Sequence, residues 1–177
     1  MDRLEKMGIK TIYTKEPFSE DLKDLIQKYS LPNNARDYPY VNLFLLAADR
    51  TVHVKFIKDT IKENNIVISD RYLISSCVYQ QIQRIPLEYI EQINSFCILP
   101  DIIFYLKVSQ KERLKRLKSG NRMRNTFFFN KTNLLLEEKL YKEVIEKYKN
   151  KWKIRIIDGE IKPSLLHDRI VNFLFDD

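Results

Sequence analysis

Three features of this chain predict an α/β fold, three α/β/α layers around a parallel sheet. Short apolar, β-branched runs alternate with longer helical stretches, every connection between runs is long enough for a crossover, and the run at 66–69 ends on the charged pair Asp70-Arg71. In a parallel sheet ligands bind at the carboxyl ends of strands, so this pair marks the end of the sheet that carries a site.

The elements follow in order. Leu4, Met7 and Gly8 read as the close of a helix with a glycine cap, ahead of a strand at 10–14. A helix at 19–29 follows Pro17, and Pro32, Asn33 and Asn34 read as a loop. The next helix, 40–64, spaces Val41, Phe44, Leu45, Ala48, Val52, Phe56 and Ile61 three to five residues apart, which predicts one core-facing apolar stripe. It ends at Asn64-Asn65, before the strand at 66–69. Helix resumes to about Cys97 with a break near Pro86, and Pro100-Asp101 introduces a strand at 102–108. Ser109 and Glu112 have the spacing of a capping box for the helix beyond. A loop at 119–130 holds Gly120, Arg122, Arg124 and the run Phe127 to Phe129. A helix at 132–149, a strand at 153–157 and a helix at 163–175 complete the chain.

A length of 177 residues is that of one compact domain, and no linker-like segment divides it, so 1–177 is expected to form a single domain. No apolar run approaches the roughly 20 residues of a membrane span, and the charged opening segment does not read as a secretory leader. Cys77 and Cys97 lack metal-ligand spacing and read as reduced packing residues of a cytoplasmic protein. His53 and His167 stand far apart and read as ordinary surface or helix residues. The net charge of +7 is spread among Glu and Asp along helices instead of forming a block, which argues against nucleic acid as the partner.

Asp70 and Arg71 carry the chemistry most visibly. A guanidinium at a strand end is a planar fork of donors that matches a phosphate, and the neighbouring carboxylate can orient it or face a hydrated metal ion. Ser75, Ser76, Tyr79 and Gln80 follow on the next helix, where they would line the same crevice. This Asp-Arg-Tyr, Ser-Ser, Tyr-Gln series resembles the phosphate-acceptor signature of thymidylate kinases, and three further segments match in order. Thr14-Lys15-Glu16-Pro17 resembles that family's Thr-Arg-Glu-Pro. Leu46-Ala47-Ala48-Asp49-Arg50 resembles its Phe-Ala-Ala-Asp-Arg, with leucine at the base-stacking position. Pro100-Asp101-Ile102 and Asp158-Gly159 resemble its Pro-Asp-Leu strand and the loop beside the donor adenine.

The resemblance implies transfer of the γ-phosphoryl group of ATP to dTMP with Mg2+, in a homodimer. It assigns the acceptor phosphate to Arg71, an indirect, water-mediated metal role to Asp70, and the acceptor pocket to Lys15, Leu46, Arg50, Ser75, Ser76, Tyr79 and Gln80. Arg122 and Arg124 fall in the segment that resembles the family's lid, 119–130, and Asp158 and Gly159 would lie beside ATP. Another nucleoside monophosphate or deoxynucleoside kinase, or a nucleotide-binding protein without catalysis, is the alternative.

One departure concerns the donor phosphates. The glycines are Gly8, Gly120 and Gly159, none followed by lysine, so these residues hold no G-x-x-x-x-G-K-[ST] P-loop. Residues 1–8 resemble the end of the helix that a P-loop precedes. A coding start placed at an internal methionine, a fragment, and true loss of the loop are the open readings, and kinase activity is expected to be impaired. In this family's sheet the P-loop strand is central, so the strands at 66–69 and 102–108 are expected not to pair directly.

Overall fold

The computed structural model describes residues 2–63, 65–119, 127 and 131–175. They fall into two compact units, one comprising 1–98 with 125–144 and the other 99–124 with 145–177.

The first unit opens with α1 (Asp2–Lys6), which Gly8 closes at φ 77, a left-handed conformation that glycine adopts without penalty. β1 (Thr11–Lys15) follows, then α2 (Glu20–Tyr29), α3 (Pro32–Asp37) and α4 (Pro39–Lys62). β2 (Ile66–Asp70), α5 (Leu73–Ile82) and α6 (Leu87–Ile93) come next. β1 and β2 pair in parallel, with Thr11 opposite Ile66 through to Lys15 opposite Asp70, so Lys15 and Asp70 leave the sheet side by side. Leu43, Val54, Ile57, Cys77, Val78 and Ile90 are among its buried apolar residues.

The second unit holds β3 (Ile103–Lys107), α7 (Gln110–Ser119), β4 (Ile154–Asp158) and α9 (Pro163–Phe175), while α8 (Lys131–Tyr148) spans the division between the units. β3 and β4 are parallel, from Ile103 opposite Ile154 to Lys107 opposite Asp158. The expected parallel α/β order is therefore present, drawn as two small sheets. β2 pairs with β1 and β3 with β4, and no ladder joins β2 to β3 among the described residues.

Three local expectations are corrected. Residues 32–37 are a helix, not a loop, because Pro32 sits at the first helical position, where its missing N–H costs nothing. Ala35 is fully buried there and its carbonyl accepts a hydrogen bond from Gln83 Nε2 at 3.1 Å. The capping box at Ser109 is half formed: Ser109 Oγ accepts the Glu112 N–H at 3.3 Å, but the Ser109 N–H goes to Glu160 Oε1 at 2.7 Å and Glu112 turns to Arg116.

The third correction matters most for the site. Val41, Phe44, Val52 and Ile61, read as core-facing, are 36–51% exposed, and Ala48 is exposed with them. The face of α4 that turns inward carries Asn42, Leu43, Ala47, Asp49, Arg50, His53, Val54 and Ile57. A half-polar face can be buried when its polar groups satisfy one another, and an apolar periodicity cannot reveal that.

Candidate functional site

The segment that leaves β1 and the inward face of α4 are joined by a buried charge network. Arg50 donates from Nε to Glu16 Oε1 at 2.9 Å and from Nη2 to Glu16 Oε2 at 2.6 Å, a bidentate pair with side chains 2% and 5% exposed. Nη2 also donates to Ser76 Oγ at 2.8 Å, and Nη1 to Asn94 Oδ1. Among the described residues four of the five guanidinium donors are thus engaged, leaving one on Nη1. His53, fully buried, bridges Glu16 Oε1 at 3.1 Å and Thr14 Oγ1 at 3.0 Å and stacks on Phe18 at 4.8 Å. Burial by itself would push the Glu16 carboxyl up, but hydrogen bonds from His53 and Arg50, with the charge of Arg50, hold it below the usual carboxylate range.

Asp49, the neighbour of Arg50, has a different task. Its two oxygens accept the backbone N–H of Phe18 at 3.0 and 2.9 Å and that of Ser19 at 2.7 Å. Ser19, at the N-cap of α2, makes no side-chain cap of its own. A carboxylate from α4 therefore satisfies donors just ahead of α2 and complements the positive end of that helix's dipole.

Asp70 and Arg71 occupy the end of β2 as the sequence predicts. Arg71 has φ 67, a left-handed conformation costing a non-glycine residue on the order of 1 kcal/mol, and Ser69 Oγ braces it by donating to the Arg71 carbonyl at 2.8 Å. This conformation carries the guanidinium of Arg71, a residue exposed as a whole, to 5.2 Å from the Tyr79 ring centroid. Desolvation works against its charge, but the phenol oxygens of Tyr79 and Tyr141, with Asp70, more than offset that, so its pKa is raised. Asp70 is exposed, and Tyr13 donates to its Oδ2 at 3.4 Å.

Tyr79 donates to Glu137 Oε1 on α8 at 3.0 Å, and the Tyr141 ring meets it edge-on at 6.5 Å. Burial raises the Tyr79 phenol first, Tyr141 and Glu137 add to it, and Arg71 opposes, so the hydroxyl keeps its proton at neutral pH. Ser75, on α5 with Tyr79, and Leu46, on α4, are half-buried. Gln80 is 1% exposed, its Nε2 reaching Asn42 Oδ1 at 3.4 Å and its Oε1 without a partner among the described residues.

Lys15, Leu46, Arg50, Asp70, Arg71, Ser75, Ser76, Tyr79 and Gln80 all belong to the first unit, where Lys15 pairs with Asp70, Arg50 meets Ser76 and Arg71 meets Tyr79, and Arg50, Ser76 and Gln80 are buried. Asp158 and Gly159 lie in the second unit. Asp158 Oδ1 accepts the Glu160 N–H at 2.8 Å, and Gly159 sits so close to β3 that a Cβ there would fall 2.6 Å from Val108 Cγ2. Arg116 Nη2 donates to the Gly159 carbonyl at 3.1 Å. Arg122 and Arg124 lie outside the described residues. Sequence reading missed Glu16 as a site anchor, His53, Asn94, Glu137 and Tyr141. His53 is no surface residue, and its spacing of four from Asp49 and three from Arg50 was the available signal of a shared buried face.

Parallel strands with a carboxylate and an arginine at their carboxyl ends define an α/β protein with a ligand site at that end of the sheet, consistent with a P-loop kinase fold. Residues 1–170 match the family model described as thymidylate kinase. A probable thymidylate kinase of Methanococcus aeolicus is 41% identical over 134 residues, covering 76% of this chain and 66% of its own length. Those of Pyrococcus abyssi and Sulfurisphaera tokodaii are each 33% identical, covering 94% and 82% of this chain and 82% and 72% of their own lengths. This chain belongs to the thymidylate kinase family.

Proposed function

We propose that the first unit binds dTMP and that the chain serves transfer of the γ-phosphoryl group of ATP to it, giving dTDP. One observation carries this reading. Of the two arginines in the matched motifs, Arg50 has its charge matched by Glu16, whereas Arg71 makes no ion pair with a carboxylate among the described residues and faces phenols instead. A cation held in that way at a strand end is available to a phosphate dianion. Arg50, with its remaining Nη1 hydrogen, and half-buried Leu46 would meet the base, and Ser75, Ser76, Tyr79 and Gln80 the deoxynucleoside. Lys15, at the end of β1 beside Asp70, adds positive charge to the same edge.

Asp70 fits a role toward Mg2+: the ion keeps most of its waters and is held through one or two carboxylates, and this one is exposed at the strand end. When bound, Mg2+ would neutralise charge on the transferring phosphoryl group. The protein's share is positioning and charge: Arg71 fixes the acceptor phosphate, and the lid arginines Arg122 and Arg124 would approach the transferring group. Asp158 and Gly159, with a loop pinned to β3, would lie beside the donor base. Phosphoryl transfer asks little covalent chemistry of a protein, so no nucleophile is required.

These 177 residues contain no P-loop sequence, which favours a second reading, nucleotide binding without catalysis by this chain alone. Calorimetry with dTMP and a coupled assay for dTDP separate the two. The 177-residue chain is expected to bind dTMP and to show no measurable ATP-dependent turnover. Turnover would overturn the idea that donor phosphates need a cradle absent here; no dTMP binding would overturn the acceptor reading itself.

A homodimer is the proposed assembly. The exposed stripe of α4, Val41, Phe44, Ala48 and Val52, offers an apolar face of the kind that a second copy covers. Phe44→Glu is expected to turn a dimer into a monomer in analytical ultracentrifugation, and a wild-type monomer at micromolar concentration would refute the assembly. Free Cys77 and Cys97 support a reducing compartment, the cytoplasm. Among the described residues no helix is long and apolar enough to cross a membrane. Helix-surface ion pairs such as Lys55–Asp59 and Lys142–Glu138 support small-molecule partners over nucleic acid, since they spread the basic charge among acids.

A further inference from the structure

We propose that Glu137 is a positioning residue, fixing Tyr79 so that Tyr79 in turn holds Arg71 ready for the acceptor phosphate. The inference rests on the reading that Arg71 binds that phosphate, and it assigns a task to a helix that the matched motifs do not reach. An exposed arginine carries about 2 kcal/mol of rotamer entropy, and whatever restricts it beforehand lowers the cost of binding. Arg71 is restricted at both ends. Its backbone is fixed at φ 67 with Ser69 Oγ on its carbonyl at 2.8 Å, and its guanidinium lies 5.2 Å from the Tyr79 ring centroid.

The platform must itself be held. Tyr79 gives its hydroxyl hydrogen to Glu137 Oε1 at 3.0 Å, and Glu137 is only 4% exposed. A hydrogen given to that carboxylate leaves the phenol's oxygen lone pairs to the cation, whereas one turned toward the guanidinium would repel it. One helical turn further along α8, Tyr141 meets the Tyr79 ring at 90°, which keeps the ring from rotating. The raised pKa of Tyr79 agrees, since a phenolate could not donate to Glu137.

Calorimetry of the full chain with dTMP and with thymidine tests the relay, because only the phosphate should feel it. Glu137→Leu is expected to weaken dTMP by about tenfold and thymidine by no more than about twofold, and Tyr79→Phe to weaken dTMP at least as much. Glu137→Gln, which keeps an acceptor oxygen, should stay within about threefold of wild type for dTMP. Equal losses for both ligands would reduce Glu137 to a packing role and overturn the proposal. So would unchanged dTMP affinity in both Tyr79→Phe and Glu137→Leu while Arg71→Ala loses it selectively. If Arg71→Ala loses no selectivity, or if the wild-type chain prefers dTMP no more than thymidine, the acceptor-phosphate reading fails and takes the relay with it.

Discussion

Replacing Glu16 by leucine is expected to cost about 3 to 5 kcal/mol of folding free energy, more than any single surface ion pair contributes. The reason is Arg50: at 1% exposure it would be left as a buried cation, its one carboxylate partner among the described residues gone. Arg50→Met should be similarly damaging, because it strands the Glu16 carboxylate with His53. The double variant should lose at least about 2 kcal/mol less than the two single losses summed, since two apolar side chains of similar volume replace a desolvated pair. Urea unfolding of the four proteins decides it, and additive losses would mean that the pair is not a unit.

The same carboxyl makes stability depend on pH in a stated direction. Its folded pKa lies below the unfolded value of about 4.3, so its contribution is complete above that value and is lost as pH falls through the folded one. Glu16→Gln should therefore flatten the acid limb of the thermal midpoint below about pH 5, on top of its loss at neutral pH.

Arg71→Ala is expected to weaken dTMP binding by about 2 to 5 kcal/mol and thymidine binding far less, because a charge-assisted contact to the phosphate is removed and nothing touching the nucleoside changes. Calorimetry with the two ligands reads the difference directly. Equal losses would show that Arg71 supports the pocket as a whole and is no phosphate clamp.

The strands were legible because each is a short β-branched run bounded by polar punctuation, and their ends placed Asp70 and Arg71 correctly. What lay hidden was polar burial. Arg50 and His53 look like helix-surface residues to any apolar count, since the partners that make them buriable, Glu16 and Thr14, lie more than thirty residues away in sequence. Val41 and Phe44 deceived for the opposite reason: they are apolar and regularly spaced, yet exposed. Glu137 was out of reach because its contact with Tyr79 spans 58 residues. Pro32, Asn33 and Asn34 read as a loop because proline at a helix start and proline in a loop look alike until the residues after it are seen to turn.

The carboxylate of Asp49 on the amides of Phe18 and Ser19 has one more consequence. The point at which α2 begins is specified thirty residues downstream, on another helix, and not by the Ser19 side chain beside it. A peptide spanning residues 16–31 would lack the instruction for its own first turn, and α2 acquires a defined start only in a chain that has already brought α4 alongside β1. Transplanting the Thr14-Lys15-Glu16-Pro17 segment into another protein would accordingly move the letters without the grammar.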